Sequence, residues 1–213
     1  MIERRIITSK TARFYCTSED WEACTSVWIV LHGYGQLAKY FIRKFEVVAT
    51  KQRLIVAPEA PHRFYLDGTH GRVGASWMTK EDRLTDIEDY VNYLDLLAHE
   101  ILDKTDKPIS INVVGFSQGA STAVRWACMG KHILDRLIIW AGAFPPDINF
   151  ATDVQHLNKS QIDLVFGTKD QYYQSSQVEE IMNLMGSNGI EFRMHEFDGN
   201  HDIDSDMLNQ LLP

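Results

Sequence analysis

The chain has 213 residues, of which 45% are hydrophobic and 23% charged, and its formal net charge is -8 at pH 7. This composition excludes disordered and fibrous proteins, and the length predicts one domain over residues 1–213. The negative charge argues against nucleic acid and anionic membrane surfaces as partners. Because no stretch is apolar enough for a signal peptide or a membrane span, we expect a cytoplasmic protein without membrane insertion.

The first part of the chain is predicted to form strands. Two short segments, residues 3–8 and 12–17, alternate in polarity and suit an antiparallel pair at a sheet edge. The apolar run at 27–31 predicts a buried strand that leads directly into the glycine-containing loop 32–36. In such a loop, at the end of a central strand, backbone N–H groups can point at a ligand.

The next part predicts two helices and a long loop. Apolar residues recur at helical spacing over 37–48, and a short strand at 54–57 follows. Residues 58–80 are rich in glycine, histidine and aromatic residues, and we interpret them as one irregular, functional loop. Residues 85–88 are interpreted as a capping box, which opens a helix whose apolar face runs from Leu84 to Ile101.

The second half of the chain alternates strands with helices. We predict strands at 109–114, 136–141, 161–168 and 191–197. Residues 176–179 predict a second capping box, with Gly186 as the stop of its helix, and a short amphipathic helix ends the chain. Because strands alternate with helices throughout, the sequence predicts an α/β fold with a mainly parallel sheet flanked by helices.

Residues 115–119 form the motif G-x-S-x-G, in which Gly115 and Gly119 flank Ser117. A strand-to-helix turn that holds a serine in a strained backbone conformation leaves no room for side chains two residues to either side. The apolar strand before the motif and the small residues after it are the context that such a nucleophile elbow requires. Ser117 is therefore the candidate nucleophile, at the edge of the sheet where ligands gather in folds of this kind.

A serine nucleophile needs a base to take its proton, and His201 is the candidate for that role. It follows the last predicted strand, in agreement with the chain order serine, acid, histidine. His195 lies within an alternating strand and is expected to be a solvated edge residue. His32 precedes the serine and is expected to orient its loop rather than to transfer protons.

An acid must hold the histidine in the correct tautomer, and Asp170 is the first candidate. It lies in the loop directly after a buried strand, at the same predicted edge as Ser117 and His201. Asp147, after the preceding strand, is the alternative. The cysteines Cys16, Cys24 and Cys128 lack the spacing of a zinc site or a disulfide framework, so we expect free thiols and no metal.

Acyl transfer builds negative charge on the substrate's carbonyl oxygen, which backbone N–H groups can stabilise. The geometry of the elbow makes the N–H of Gln118 one donor. The second is expected from the loop after an earlier strand, where Tyr34 fits best.

Five motifs in this order, LHGYGQ, SWM, VVGFSQGA, GTKD and GNHDI, resemble the phospholipase/carboxylesterase family of α/β hydrolases. That family includes acyl-protein thioesterases and small bacterial carboxylesterases. The resemblance runs from about Val27 to the C-terminus. It implies a single-domain α/β-hydrolase fold without a large lid domain and a cofactor-independent esterase or thioesterase. It also implies the triad Ser117, Asp170 and His201, with Tyr34 and Gln118 as oxyanion donors.

The sequence departs from the family's pattern at several positions. Family members often have Leu at the position of Tyr34, Asp at that of Gln36, and His-Gly where this chain has Phe166 and Gly167. A tyrosine at the mouth could narrow the acyl pocket. The resemblance places Trp77 in that pocket with three further aromatic residues, Phe64, Tyr65 and Phe144, and packing in the core is an equal alternative for each.

The leading hypothesis is a serine hydrolase that cleaves carboxylic esters or thioesters through an acyl-enzyme on Ser117. The negative net charge slightly favours small soluble esters as substrates. An acyl-protein thioesterase or lysophospholipase acting on long acyl chains is the alternative within the class. A non-catalytic binding protein with the same fold is the alternative from another class, and a peptidase is a weaker third. The oligomeric state cannot be deduced from the sequence.

Overall fold

The structure, a computed structural model, describes residues 1–105 and 107–212. The strands are β1 (Phe14–Cys16), β2 (Ser26–Leu31), β3 (Arg53–Pro58), β4 (His62–Asp67), β5 (His70–Ser76), β6 (Ser110–Phe116), β7 (Arg136–Trp140), β8 (Gln161–Gly167) and β9 (Arg193–Phe197). The α-helices are α1 (Ala38–Phe41), α2 (Arg83–Leu102), α3 (Gln118–Met129), α4 (Ser175–Ser187) and α5 (Ser205–Leu211). Two 3-10 helices span Ile42–Val48, directly after α1, and Leu157–Lys159.

Seven strands form the central sheet in the order β1-β3-β2-β6-β7-β8-β9. Only β1 is antiparallel to its neighbour; the other neighbouring strands run parallel. The predicted α/β fold with a mainly parallel sheet is therefore confirmed. Parallel strands end at one edge, so the loops after β2, β6, β8 and β9 emerge side by side.

Alternate residues of each strand pack into opposite cores, because side chains in a strand point to opposite faces in turn. In β2, Val27 and Ile29 face the layer that contains α2, α3 and α4. Trp28 and Val30 face the layer of α1, its 3-10 helix and α5. Burial on both faces explains why the strands are apolar throughout rather than alternating.

The predicted pair of N-terminal strands is wrong. Residues 3–8 form no strand, and β1 pairs with β3 instead, with Phe14 opposite Pro58. The apolar residues of the first segment, among them Ile6 and Ile7, are exposed. They therefore gain no buried face that would hold a strand in the sheet.

The stretch 58–80 is not the irregular loop that its composition suggests. It folds mostly into the antiparallel hairpin β4–β5, in which His62 lies opposite Ser76, with a register shift between Tyr65 and Asp67. Most residues of the hairpin's outer half are solvent-exposed. Because no face is continuously buried, the apolar alternation that marks a strand is missing from the sequence.

Both predicted capping boxes are displaced from the observed helix starts. Helix α2 has Asp82 as its N-cap, with the left-handed φ of 47°, and Thr85 donates its hydroxyl to the Asp82 carboxylate at 3.0 Å. Leu84 is 71% exposed and not part of the apolar face. In α4 the capping box joins Gln174 and Gln177, two residues before the predicted one.

Gly186 lies within α4 and does not stop it, because the helix continues to Ser187. Among the helices of the described chain, none is both long enough and apolar enough to cross a membrane.

Candidate active site

Ser117 lies at the turn between β6 and α3, in a backbone conformation that side-chain-bearing residues rarely adopt. Its φ and ψ are 55° and -117°. The turn is held because Ser117 N donates to Trp140 O at 2.9 Å and Ala120 N donates to Ser117 O at 3.0 Å. This strained turn projects the serine from the end of the sheet.

The two glycines of the motif are required by close backbone approach. A Cβ atom on Gly115 would overlap the carbonyl oxygen of Gly119, and one on Gly119 would overlap that of Leu31. The turn after β6 is therefore packed directly against the end of β2, which brings Ser117 next to the loop that begins at His32.

Asp170 and His201, from the loops after β8 and β9, are joined by a hydrogen bond of 2.7 Å between Oδ2 and Nδ1. The Asp170 side chain is fully buried. Its other carboxylate oxygen accepts from the backbone N–H groups of Tyr172 and Tyr173 at 2.8 and 3.2 Å. These bonds orient the carboxylate, so that the imidazole carries its proton on Nδ1 and presents Nε2 to its surroundings.

Three aromatic rings surround His201. The ring of Phe116 lies 4.9 Å from its centroid, that of Tyr172 lies edge-on at 4.7 Å, and that of Tyr173 is stacked at 6.2 Å. Packing on these sides restricts rotation of the imidazole.

Ser117 and His201 line one cleft of about 310 Å³. The other lining residues are Gly33, Tyr34, Gln36, Phe116 and Tyr172. The structure therefore brings the candidate nucleophile and the candidate base to a shared, solvent-accessible space, with the candidate acid behind the base.

The loop after β2 forms the opposite wall of the cleft and is held by several hydrogen bonds. Gly33 N donates to the side-chain oxygen of Gln36 at 2.9 Å, Gln36 N donates to Gly33 O at 3.2 Å, and Gly35 N donates to Ala75 O at 2.9 Å. In the described part of the chain, the backbone N–H groups of Tyr34 and Gln118 donate to no protein oxygen. Both N–H groups are thus without a protein acceptor.

His32 is completely buried behind this loop. Its Nδ1 contacts Gly33 O at 2.8 Å and its Nε2 accepts from Ala60 N at 3.1 Å. Burial lowers the pKa of His32, so the ring is neutral, which this pair of partners requires. The expectation that His32 orients its loop agrees with these contacts.

Trp77 does not line the cleft, although the family resemblance placed it in an acyl pocket. The side chain is 0% exposed and its indole N–H donates to His32 O at 2.9 Å. The backbone N of Trp77 also donates to the Gln118 side chain at 3.0 Å. Trp77 is therefore a core residue that ties the end of β5 to the loops around Ser117.

The other predicted pocket residues lie in different places. Phe64, on β4, packs against the exposed ring of Tyr34 with 5.2 Å between centroids, and Tyr34 but not Phe64 lines the cleft. Tyr65 is half exposed on the same hairpin. Phe144 is buried and stacked on Phe150 at 5.2 Å, a core position like that of Trp77.

The alternative acid and the other histidine have structural partners elsewhere. Asp147 receives two hydrogen bonds from Arg125, at 2.9 and 2.6 Å, and these bonds lower the pKa of Asp147. His195 is not a solvated edge residue, because its Nε2 contacts the buried carboxylate of Asp163 at 2.8 Å. The strand pattern could not show this contact, since the partner lies on the neighbouring strand.

Three residues that shape the cleft are missing from the sequence-based prediction: Gln36, Phe116 and Tyr172. Gln36 and Phe116 lie inside the motifs LHGYGQ and VVGFSQGA. These motifs could therefore have indicated that both residues lie near the cleft. Tyr172 has no such signal, because its contact with His201 arises only when the loops after β8 and β9 meet.

The fold and this site, a serine at a strand-to-helix turn beside a carboxylate-bound histidine, define an α/β hydrolase. A family model described as phospholipase/carboxylesterase matches residues 17–212. The chain therefore belongs to the phospholipase/carboxylesterase family and is a hydrolase of the carboxylesterase type. No curated protein matches the chain in sequence.

Solved structures with the same fold include esterases and thioesterases. Esterase PE8 is 23% identical with a TM-score of 0.75, and the match covers 95% of this chain and 97% of that one. A carboxylesterase from Mesorhizobium loti is 17% identical with a TM-score of 0.71, over 98% and 97% of the two chains. Acyl-protein thioesterase 2 from Zea mays is 16% identical with a TM-score of 0.71, over 95% and 96%.

Proposed function

We propose that the chain hydrolyses small carboxylic esters, with Ser117 as nucleophile, His201 as general base and acid, and Asp170 as the residue that orients His201. The observation that carries the proposal is the hydrogen bond between Asp170 Oδ2 and His201 Nδ1, at the rim of the cleft that Ser117 also lines. A histidine held in this tautomer offers Nε2 as a base to the serine hydroxyl.

In the first half of the reaction, Ser117 Oγ attacks the ester carbonyl carbon while its proton passes to His201 Nε2. Negative charge moves to the carbonyl oxygen, where the N–H groups of Tyr34 and Gln118 donate to it. Each such donor stabilises the transition state by about 3 kcal/mol. The carbon–oxygen bond to the alcohol breaks, and the alcohol leaves with the proton from His201.

In the second half, His201 takes a proton from water, and the hydroxide formed attacks the acyl group on Ser117. The ester bond to the serine breaks and its oxygen regains a proton from His201. The products are a carboxylic acid and the free enzyme, so the cycle needs no cofactor. Asp170 stays ionised throughout and stabilises the imidazolium that forms twice.

The size of the cleft supports small substrates rather than long acyl chains. Its volume is about 310 Å³, and one of its lining residues is Tyr34, whose ring packs against that of Phe64. Trp77 and Phe144, which could have lined a long channel, are buried in the core. We therefore place acyl-protein thioesterase or lysophospholipase activity second.

The proposal is tested by the rate of hydrolysis of para-nitrophenyl esters from acetate to palmitate. We expect a maximum between acetate and hexanoate and a loss of at least about 10³-fold in Ser117→Ala. Ser121→Ala, on the same helix α3, is the matched control and should keep its activity. A maximum at palmitate would favour the long-chain alternative.

A non-catalytic protein is distinguished by covalent labelling. A fluorophosphonate probe should label the wild type and the Ser121→Ala variant but not Ser117→Ala. If the wild type is neither labelled nor active on any ester, the chain binds ligands without catalysis and the proposal is wrong.

A further inference from the structure

We propose that a groove beside the cleft binds a carboxylate carried by the substrate, so that the preferred substrates are esters with a distant carboxylate group. This inference rests on the proposed function, since it names the class of ester that the same site takes. It assigns Arg72 as the residue that selects for this class.

The groove lies between the first helical segment and the hairpin β4–β5, and we call it the helix–hairpin groove. It has a volume of about 540 Å³. Leu37, Phe41 and Lys44 form one side, and Leu66, Arg72 and Val73 form the other. Gln36 lines both this groove and the cleft that contains Ser117, so the two spaces are adjacent.

Apolar and cationic side chains together line the helix–hairpin groove. Leu37, Phe41, Leu66 and Val73 supply the apolar surface. Lys44 and Arg72 supply positive charge, and none of the described residues that line the groove is acidic. A groove lined by cations and by no acidic residue favours an anion, although the whole chain has a net charge of -8.

The two cations differ in their partners. Lys44 forms an ion pair of 2.7 Å with Asp202, the residue after His201, so its charge is largely compensated. In the described part of the chain, the exposed Arg72 guanidinium forms no ion pair. Arg72 is thus the cation available to a ligand.

The arrangement fits an ester with two separate binding parts. A guanidinium binds a carboxylate with two parallel hydrogen bonds, whereas a short hydrocarbon linker can lie against the apolar side chains of the groove. A linker is needed because Gln36 separates the groove from the cleft in which the ester reacts. Half-esters of dicarboxylic acids have this composition.

The test compares mono-para-nitrophenyl esters of succinic, adipic and suberic acid with the same esters methylated on the free carboxylate. The methylated compounds match in length and lack the charge. At one linker length or more we expect kcat/KM to be at least about threefold higher for the charged ester, through a lower KM. Raising the salt concentration should reduce this preference, because the pair is exposed to solvent.

Arg72→Gln should abolish the preference and leave the hydrolysis of the methylated esters unchanged. Lys39→Gln removes an exposed cation from α1 outside the groove and should change neither. Lys44 is not a suitable variant, because its loss would also free Asp202 beside His201. Equal use of charged and methylated esters by the wild type, or a preference that survives in Arg72→Gln, would overturn the inference.

Binding to the Ser117→Ala variant separates this inference from the proposed function. By calorimetry, the charged esters should bind this variant more tightly than the methylated ones, and Arg72→Gln added to it should remove the difference. If the wild type hydrolyses nothing but this binding difference is present, the proposed function fails and the carboxylate site stands. If methylated esters are hydrolysed without any charge preference, the proposed function stands and the carboxylate site fails.

Discussion

Both oxygens of the Asp170 carboxylate have hydrogen-bond donors, and the donors differ in kind. Oδ1 accepts from two backbone N–H groups of its own loop, while Oδ2 accepts from His201. The backbone bonds set the direction of the carboxylate, so the position of the imidazole follows from the conformation of the loop after β8.

Asp170→Asn should therefore reduce activity without unfolding the loop. The amide oxygen can still accept from Tyr172 and Tyr173, but the amide nitrogen would then face His201 Nδ1 and favour the wrong tautomer. We expect kcat for para-nitrophenyl acetate to fall by roughly 10³- to 10⁴-fold, with little change in melting temperature.

Asp198→Asn is the control for this prediction. Asp198 is an exposed aspartate in the loop that leads to His201, where its carboxylate pairs with Lys169 at 2.6 Å. Its replacement should leave kcat within about twofold. If Asp170→Asn retains wild-type kcat, Asp170 does not orient the base.

For the individual site residues, the sequence predicted the candidates for each role, and the tertiary structure decided which of them are in contact. Asp147 and Asp170 both follow buried strands, and the pattern alone left both open as the acid. Asp147 is held by Arg125, 22 positions earlier in the chain, and Asp170 contacts His201, 31 positions later. No local pattern contains such distant pairs.

Among the elements, the connection from β6 to α3 requires glycine at two positions, Gly115 and Gly119. The overlap of a Gly119 side chain with Leu31 O would push α3 away from the end of β2. Gly186, near the end of α4, has no atom within 4 Å of the position that a Cβ would occupy. The two glycines thus differ in packing although both lie in helices.

Gly119→Ala should destabilise the protein by about 1–3 kcal/mol, because the new methyl group has no space. Gly186→Ala should stabilise it by about 0.5 kcal/mol, because alanine loses less backbone entropy in a helix. The measurement is the free energy of unfolding from urea titrations of both variants. A Gly119→Ala variant as stable as the wild type would show that the turn can open without cost.

The first residues of helices α2 and α4 were predicted wrongly from the spacing of polar residues. Thr85 to Glu88 has the spacing of a capping box, yet the helix begins at Arg83, directly after Asp82 in a left-handed conformation. The same polar residues can cap a helix or lie in its first turn, so their spacing alone does not determine where the helix begins.

The side chain of Asp163, on β8, connects the last three strands of the central sheet, β7, β8 and β9. Its carboxylate receives hydrogen bonds from Arg136 on β7, at 2.7 Å, and from Arg193 on β9, at 2.8 and 3.0 Å, besides the contact with His195. Burial alone would raise the pKa of Asp163, but the bonds from Arg193, Arg136 and His195 outweigh it and lower the pKa from 3.8 to about 2.

Acid should therefore destabilise the whole fold through this residue. Because the folded pKa lies below the unfolded one, the stabilisation is complete above pH 3.8 and is lost as the pH falls toward 2. The loss corresponds to about 2 kcal/mol. Thermal unfolding from pH 6 to pH 2 should show one transition in the wild type, since one sheet runs through the chain, and a steep fall in melting temperature below pH 4.

Asp163→Asn provides the comparison. It should be less stable than the wild type at pH 6. The difference should shrink as the pH approaches 2, where the wild-type carboxylate becomes protonated and therefore neutral, like the amide. Gln210→Ala, at an exposed uncharged position on α5, should follow the wild type at every pH. A difference between Asp163→Asn and wild type that does not depend on pH would contradict the assigned pKa, and two separate transitions would contradict the single domain.

The alternation of apolar strands and helices, the parallel sheet and the turn at Ser117 could all be predicted from the residues, because each depends on neighbours within a few positions or on burial along one segment. The hairpin β4–β5, the pairing of β1 with β3 and the contact between the rings of Tyr34 and Phe64 could not. They result from contacts between segments that meet only in the folded chain. The helix–hairpin groove could not be predicted either. Lys44 and Arg72 line the same groove only after the hairpin packs beside the loop that follows β2.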